Sequence, residues 1–149
     1  MRQLIIVRKD LNMSPGKLSA QVSHASMAFI TNMIKSANFI TDFKESNDFC
    51  IKELRISKDI YTEWFCDIYT KTICEAKNKD KLLKVLDTAN ELGLKENEDY
   101  FLIKDFCLTE LTPEEVDESG RGKTLTCIGF RPLPDDIAHT LSKKYQLYK

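Results

Sequence analysis

No stretch of this 149-residue sequence is long and apolar enough to read as a membrane span, and no charged-then-apolar leader opens it. Its five cysteines, at 50, 66, 74, 107 and 127, are scattered, odd in number and without CxxC spacing. That argues against a disulfide framework and against a zinc site, and no other metal site is read here. Charge of one sign is missing too. Lys and Arg number 22 against 23 Asp and Glu, a net charge of −1, so nothing marks a bulk nucleic-acid binder. Summed charge still leaves room for a local basic patch from Arg8, Lys9 and Lys17 early in the chain and Arg121, Lys123 and Arg131 later. Internal repeats and low-complexity tracts are absent. What remains is a chain of one domain's length with enough apolar content to bury a core, read as a protein of the cytoplasm.

Periodicity divides that chain into alternating elements. Arg2 to Arg8 reads as a buried strand, and Pro15 to about Ile34 as a first helix. Lys71 to Ala76 is a second strand, Asp80 to Leu92 an amphipathic helix stopped by Gly93, and Tyr100 to Lys104 a third strand. Thr124 to Phe130 is a fourth, and Pro134 opens a last helix bearing Ile137 and Leu141. Cys74 and Cys127 fall inside strands and read as buried thiols. Ile34 to Tyr61 carries apolar residues without a clear period and is read as a further helix plus an irregular excursion. Ser57 is placed as the cap of a short helix that turns Ile60, Trp64 and Phe65 inward, with Trp64 a packing anchor. Thr112 to Lys123, polar, acidic and holding Pro113, Gly120 and Gly122, reads as a mobile loop. Four strands alternating with helices predict a small sheet covered on both faces.

The segment from Ser14 to Ala25 carries the strongest signal of a site. Ser14 suits an N-cap and Pro15 the first helical position. Lys17 then lies in the first turn, where the helix dipole favours anions, so local preference and placement disagree. Leu18, Val22, Ala25 and Phe29 form a core stripe, and Lys17, Gln21 and His24 recur at the same spacing along its border. The plain reading is an ordinary amphipathic helix with a solvated lysine and a half-buried histidine. In open sheets ligands bind beyond the strand ends, and the third strand ends at Lys104-Asp105, with Thr109 and Glu110 following. If the first and third strands run the same way, Lys17 and Asp105 emerge at one edge. A carboxylate, an ammonium and a hydroxyl there could orient water and stabilise an oxyanion. The alternative is a loop salt bridge with Thr109 as a turn former.

The run Ile5-Ile6-Val7-Arg8-Lys9-Asp10-Leu11-Asn12-Met13-Ser14-Pro15-Gly16-Lys17, continuing through Gln21 to His24-Ala25, resembles the opening of the type 2 peptidyl-tRNA hydrolases. That family begins with a strand, an Arg-x-Asp-Leu turn and a helix carrying Gly-Lys-x-x-x-Gln-x-x-His-Ala. A second, looser match runs from Tyr100 through Asp105, Thr109 and Thr124-Leu125-Thr126-Cys127-Ile128-Gly129 to Pro132. The segment around 34–67 finds no counterpart and reads as an insert in a single domain spanning 1–149.

The resemblance implies a three-layer α/β/α sandwich around a mixed, mainly four-stranded sheet. It also implies hydrolysis, without metal or organic cofactor, of the ester that joins a peptide to the terminal ribose of tRNA. Carried over by position, Lys17 stabilises the oxyanion or steers the substrate carbonyl, and Asp105 orients or activates water with Thr109 assisting. Gln21 and His24 line the site or hold Lys17, Thr124 sits close by, and Asp10 braces the turn. Peptidyl-tRNA is the implied partner. Members often pair as homodimers, although no exposed stripe in this sequence demands one.

Two departures bear on the site. The family usually follows its aspartate with Ala-Gly, whereas this chain has Phe106-Cys107. The usual Gly-x-Gly-Pro ending stands here as Gly129-Phe130-Arg131-Pro132, nearer the divergent peptidyl-tRNA hydrolase domain-containing branch. A second reading therefore stands beside the first: a catalytically silent module that binds tRNA or protein on the same fold. Nothing near Cys107 argues for an activated thiol, so it is not read as a nucleophile.

Overall fold

Alternation along the first strand decides the layering. β1 (Arg2–Arg8) is buried over nearly its whole length. Its successive side chains point to opposite faces. Leu4 and Ile6 join one apolar cluster, and Ile5 and Val7 another. The computed structural model describes residues 1–40 and 49–149. After β1 come α1 (Pro15–Ser36), α2 (Lys58–Ile60) running into a π-helical turn at Tyr61–Phe65, β2 (Lys71–Ala76) and α3 (Lys79–Glu91). β3 (Tyr100–Asp105), β4 (Glu115–Val116), β5 (Gly122–Leu133), α4 (Asp135–Ser142) and β6 (Gln146–Leu147) complete the chain. The Leu4/Ile6 face is covered by Leu82, Val85 and Ala89 of α3 and by Ala138 and Leu141 of α4. The Ile5/Val7 face is covered by Ala25, Leu18 and Val22 of α1. This is the expected helix–sheet–helix layering.

The strands run in the order β3-β5-β1-β2-β6, with β4 paired to β5 off that path, so the mixed sheet has six strands where four were expected. The additional two are β4 and β6, each two residues long. That is too short to leave a readable period-two pattern. β1 pairs parallel with β2 and antiparallel with β5, and β3 also pairs antiparallel with β5. β1 and β3 therefore run in the same direction and end at the same edge.

Three contacts fix α1 on the sheet. Buried Gln3 donates to the Ser26 carbonyl at 2.9 Å and accepts from the Ser26 hydroxyl at 3.0 Å. Gly129 lies directly beneath Ala25, and a Cβ built on Gly129 would stand 2.6 Å from the Ala25 carbonyl oxygen. Further along, Phe29 meets Trp64 edge to face at 5.7 Å, beside Phe101. Trp64 is 4% exposed and its indole donates to the Thr70 carbonyl at 3.2 Å, so it anchors packing as expected. Ser57 caps α2 by accepting from the Ile60 amide. No further helix occurs at 37–40 or 49–57, and the remainder of that expectation, 41–48, lies outside the described residues.

The expected mobile loop at Thr112 to Lys123 is instead a short hairpin of β4 on β5. Three of its four acidic residues, which suggested a solvated loop, are matched. Glu114 pairs with Arg8 and Lys79, Glu115 with Lys104, and Asp117 with Lys123. Asp117 Oδ1 also closes the hairpin turn by accepting from Ser119 and Arg121 amides. Arg8 is 4% exposed at its side chain and bonds Glu114 through both terminal nitrogens and Asp10 through Nε and Nη2. Burial works against its charge, yet the bonds to Glu114 and Asp10 hold its pKa above the ordinary arginine value.

The hydrogen bond from Arg8 lowers the Glu114 pKa, against a smaller opposing effect of burial. A depressed folded pKa adds stability above the unfolded value, and that stability is lost as pH falls through the folded one. Urea midpoints are therefore expected to drop from the ordinary glutamate range downward, and Glu114→Gln to flatten that drop.

Candidate active site

Because β1 and β3 end together, the start of α1 and the end of β3 meet at one edge of the sheet. Ser14 caps α1, its hydroxyl accepting from the Lys17 amide at 3.3 Å. The cap is tied to the loop after β3, since Glu110 accepts from both the Ser14 amide and the Ser14 hydroxyl. Lys17 reaches across to Asp105, Nζ to Oδ2 2.7 Å, with the side chains only 13% and 11% exposed. That pair resolves the misfit of a cation in a helix's first turn: the ammonium faces a carboxylate rather than the helix dipole alone.

Gln21, one turn further along α1, donates from Nε2 to the same Asp105 oxygen at 2.8 Å. Its carbonyl oxygen accepts from the Thr126 hydroxyl at 2.7 Å. A carboxylate only accepts, so the amide has one orientation that satisfies both neighbours. Gln21 and Thr126 are buried, 2% and 0% exposed, and among the described residues no buried side-chain nitrogen or oxygen lacks a partner. The third donor to Asp105 is the Cys107 amide, to Oδ1 at 2.8 Å. An ionised carboxylate offers about four lone-pair sites. With three taken, one on Oδ1 is left for a water.

A strand irregularity aims these groups. The register of β3 on β5 shifts between Ile103, opposite Cys127, and Lys104, opposite Leu125, which leaves Thr126 as the extra residue of a bulge. A bulge reverses which face later side chains take. Cys127 and Gly129 lie under α1, and the bulge brings Thr126 onto that face as well. Thr126 falls within the strand match made from the sequence, which gives it no role in the site. Its only sequence signal is a polar residue between the apolar Leu125 and Cys127.

The remaining expected residues are placed differently. His24 lies on the same row of α1 as Lys17 and Gln21, but it is exposed and has no hydrogen bond among the described residues. Thr109 is exposed beside Glu110, with no side-chain hydrogen bond among the described residues and its carbonyl accepting from the Leu111 amide. Thr124 is fully buried. Its hydroxyl donates to the Thr112 carbonyl at 2.7 Å and accepts from the Glu114 amide at 3.0 Å, stapling the hairpin to β5. All six residues expected to supply a basic patch are already paired: Arg8 with Glu114, Lys9 with Glu75, Lys17 with Asp105, Arg121 and Lys123 with Asp117, and Arg131 with Asp99 at 2.6 Å.

Phe106 is 45% exposed, with Arg121 and Lys123 each 5.1 Å from its ring. Cys107 serves the site through its backbone rather than its thiol, and does so at φ +55°. A side chain is strained there, and the family's usual glycine is not. Cys107→Gly is expected to keep activity and raise stability by about 1 kcal/mol, read from the urea midpoint. Burial raises the pKa of the Cys74 thiol and pushes that of Cys127 up to about 12, so neither is a nucleophile. Among the described residues, no three His, Cys, Asp or Glu side chains converge as a metal site.

An ammonium and a carboxylate, braced by a buried amide at the strand ends of a mixed α/β sheet, are groups that can orient a water and stabilise an oxyanion. The chain belongs to the family described as Peptidyl-tRNA hydrolase PTH2, whose model matches residues 1–148. Similar proteins share that description. A peptidyl-tRNA hydrolase of Thermoplasma acidophilum is 25% identical over 146 residues, covering 98% of this chain and 97% of the relative. One of Methanopyrus kandleri is 30% identical over 131 residues, covering 88% and 84%. One of Saccharolobus solfataricus is 25% identical over 147 residues, covering 99% and 98%.

Proposed function

We infer that this protein hydrolyses peptidyl-tRNA, releasing free tRNA and peptide. The observation that carries the reading is Asp105, held by Lys17, Gln21 and the Cys107 amide with one lone pair left open. Water at that lone pair gives its proton toward Asp105 as its oxygen attacks the ester carbonyl. An ammonium has three N–H groups. Lys17 uses one on Asp105 and offers another to the oxyanion as it forms. The bond from the acyl carbon to the ribose oxygen then breaks, and the proton leaves with the ribose hydroxyl. Gln21 positions Asp105, with Thr126 fixing its amide.

His24 and Thr109, both exposed, contact the substrate in this reading. Thr124 acts through the hairpin it staples. The substrate is made in translation, which places the work in the cytoplasm. A homodimer follows from family habit alone.

The test is release of free tRNA from N-acetylated aminoacyl-tRNA. The wild type is expected to turn over and Lys17→Ala to lose about 10²–10³-fold in kcat, the usual loss on removing an oxyanion donor. Unchanged turnover in Lys17→Ala would sink the assigned role. The silent binding module keeps one specific support, the cation-flanked Phe106 where the family has a small residue. A folded wild type that binds tRNA without turning it over would establish that reading instead.

A further inference from the structure

The near-zero net charge hides an uneven distribution. A cleft of about 730 Å³ opens at the same sheet edge as Asp105, but on the α3 side. Five lysines line it (Lys9, Lys77, Lys81, Lys84 and Lys144) against the carboxylates of Asp10 and Glu75. Both carboxylates are already matched, Asp10 by Arg8 and Glu75 by Lys9. Lys77, Lys81, Lys84 and Lys144 are exposed and have no carboxylate within ion-pair distance among the described residues. Four unpaired ammonium groups around one concavity repel each other, and among the described residues no ion pair neutralises any of them. An anionic ligand would.

The topology relates this cleft to the site. β2 ends at the cleft and β3 at Asp105, with β5 and β1 between them. Strands lie about 4.8 Å apart, so the two are separated by roughly 14 Å along the edge. Of the hairpin carboxylates, Glu114, Glu115 and Asp117 are paired with cations. An RNA whose 3′ ester lies at Asp105 carries one negative phosphate per nucleotide across such a span.

We propose that Lys77, Lys81, Lys84 and Lys144 form a second contact with the RNA, binding acceptor-stem phosphates while the ester lies at Asp105. The proposal rests on the hydrolase reading and adds how the substrate is held. It assigns these lysines to binding and not to chemistry, so they act on KM and on salt dependence.

The experiment compares the full chain with its K77Q/K81Q/K84Q/K144Q variant on two substrates, N-acetylated aminoacyl-tRNA and N-acetylated aminoacyl-adenosine, which lacks a stem. On tRNA the variant is expected to raise KM on the order of tenfold at unchanged kcat. It should also flatten the slope of log KM against log salt by roughly 3.6, at about 0.9 for each of four phosphate contacts. Turnover of the adenosine ester should not change, and the matching Lys→Arg variant should keep the wild-type slope. An unchanged KM and slope, with tRNA still hydrolysed, would overturn the proposal and leave the hydrolase reading standing. If the wild type hydrolyses neither substrate, the hydrolase reading falls, and anisotropy with uncharged tRNA decides the cleft alone. A lysine-dependent salt slope there supports it, and equal binding by both proteins refutes it.

Discussion

Replacing Asp105 by asparagine is expected to lower kcat on N-acetylated aminoacyl-tRNA by about 10²–10⁴-fold, the usual range for a lost general base. The change keeps side-chain size and removes the chemistry. The asparagine oxygen can still accept from Lys17 and Gln21, where Oδ2 now sits. Its amide group must then occupy the Oδ1 position and face the Cys107 amide, donor against donor. The lone pair left for water disappears with the same atom. Thermal unfolding measured beside kcat separates lost chemistry from lost fold. A variant that unfolds like the wild type yet keeps its rate would remove Asp105 from the mechanism.

Gly129→Ala is expected to destabilise the protein by about 2–3 kcal/mol, the upper part of the usual range for overpacking a well-packed core. The new methyl would meet the Ala25 carbonyl at 2.6 Å and the Ala25 methyl at 2.9 Å. Backbone on a helix cannot swing aside as a flexible side chain would, so α1 must lift from β5. Lys17 and Gln21 ride on α1, whereas Asp105 and Thr126 ride on the sheet. A shift of even ~1 Å in such a pairing can cost about 10²-fold in rate. The variant should therefore lose both urea stability and kcat, although residue 129 touches no reacting group. Wild-type stability would contradict the close packing described here.

Much of this was legible in the sequence because it is written in periodic runs. The apolar run at β1, the 3.6-residue stripe of α1 and the strand ending at Asp105 gave the layering and predicted the edge where Lys17 and Asp105 meet. The less legible parts depend on pairings between distant segments. Thr126 reaches Gln21 only because of a bulge that no residue type announces. The acidic stretch from Glu114 to Asp117 looked solvated because its partners (Arg8, Lys79, Lys104 and Lys123) lie elsewhere in the chain. Those pairings consume Arg8 and Lys123 from the expected basic patch. The lysine cleft, drawn from β1, β2, α3 and the approach to β6, takes the role of that patch. Local sequence reports which charges exist, and topology decides which of them are already neutralised.

The most direct test of the account is a double-mutant cycle on Lys17 and Asp105, read as kcat for release of tRNA from N-acetylated aminoacyl-tRNA. Groups that act as one unit are not additive. Lys17→Ala and Asp105→Asn are each expected to remove most of the rate, and the double variant to be no slower than the slower single. Losses that multiply in the double variant would show two independent groups, and the Lys17–Asp105 pair would no longer be the catalytic unit.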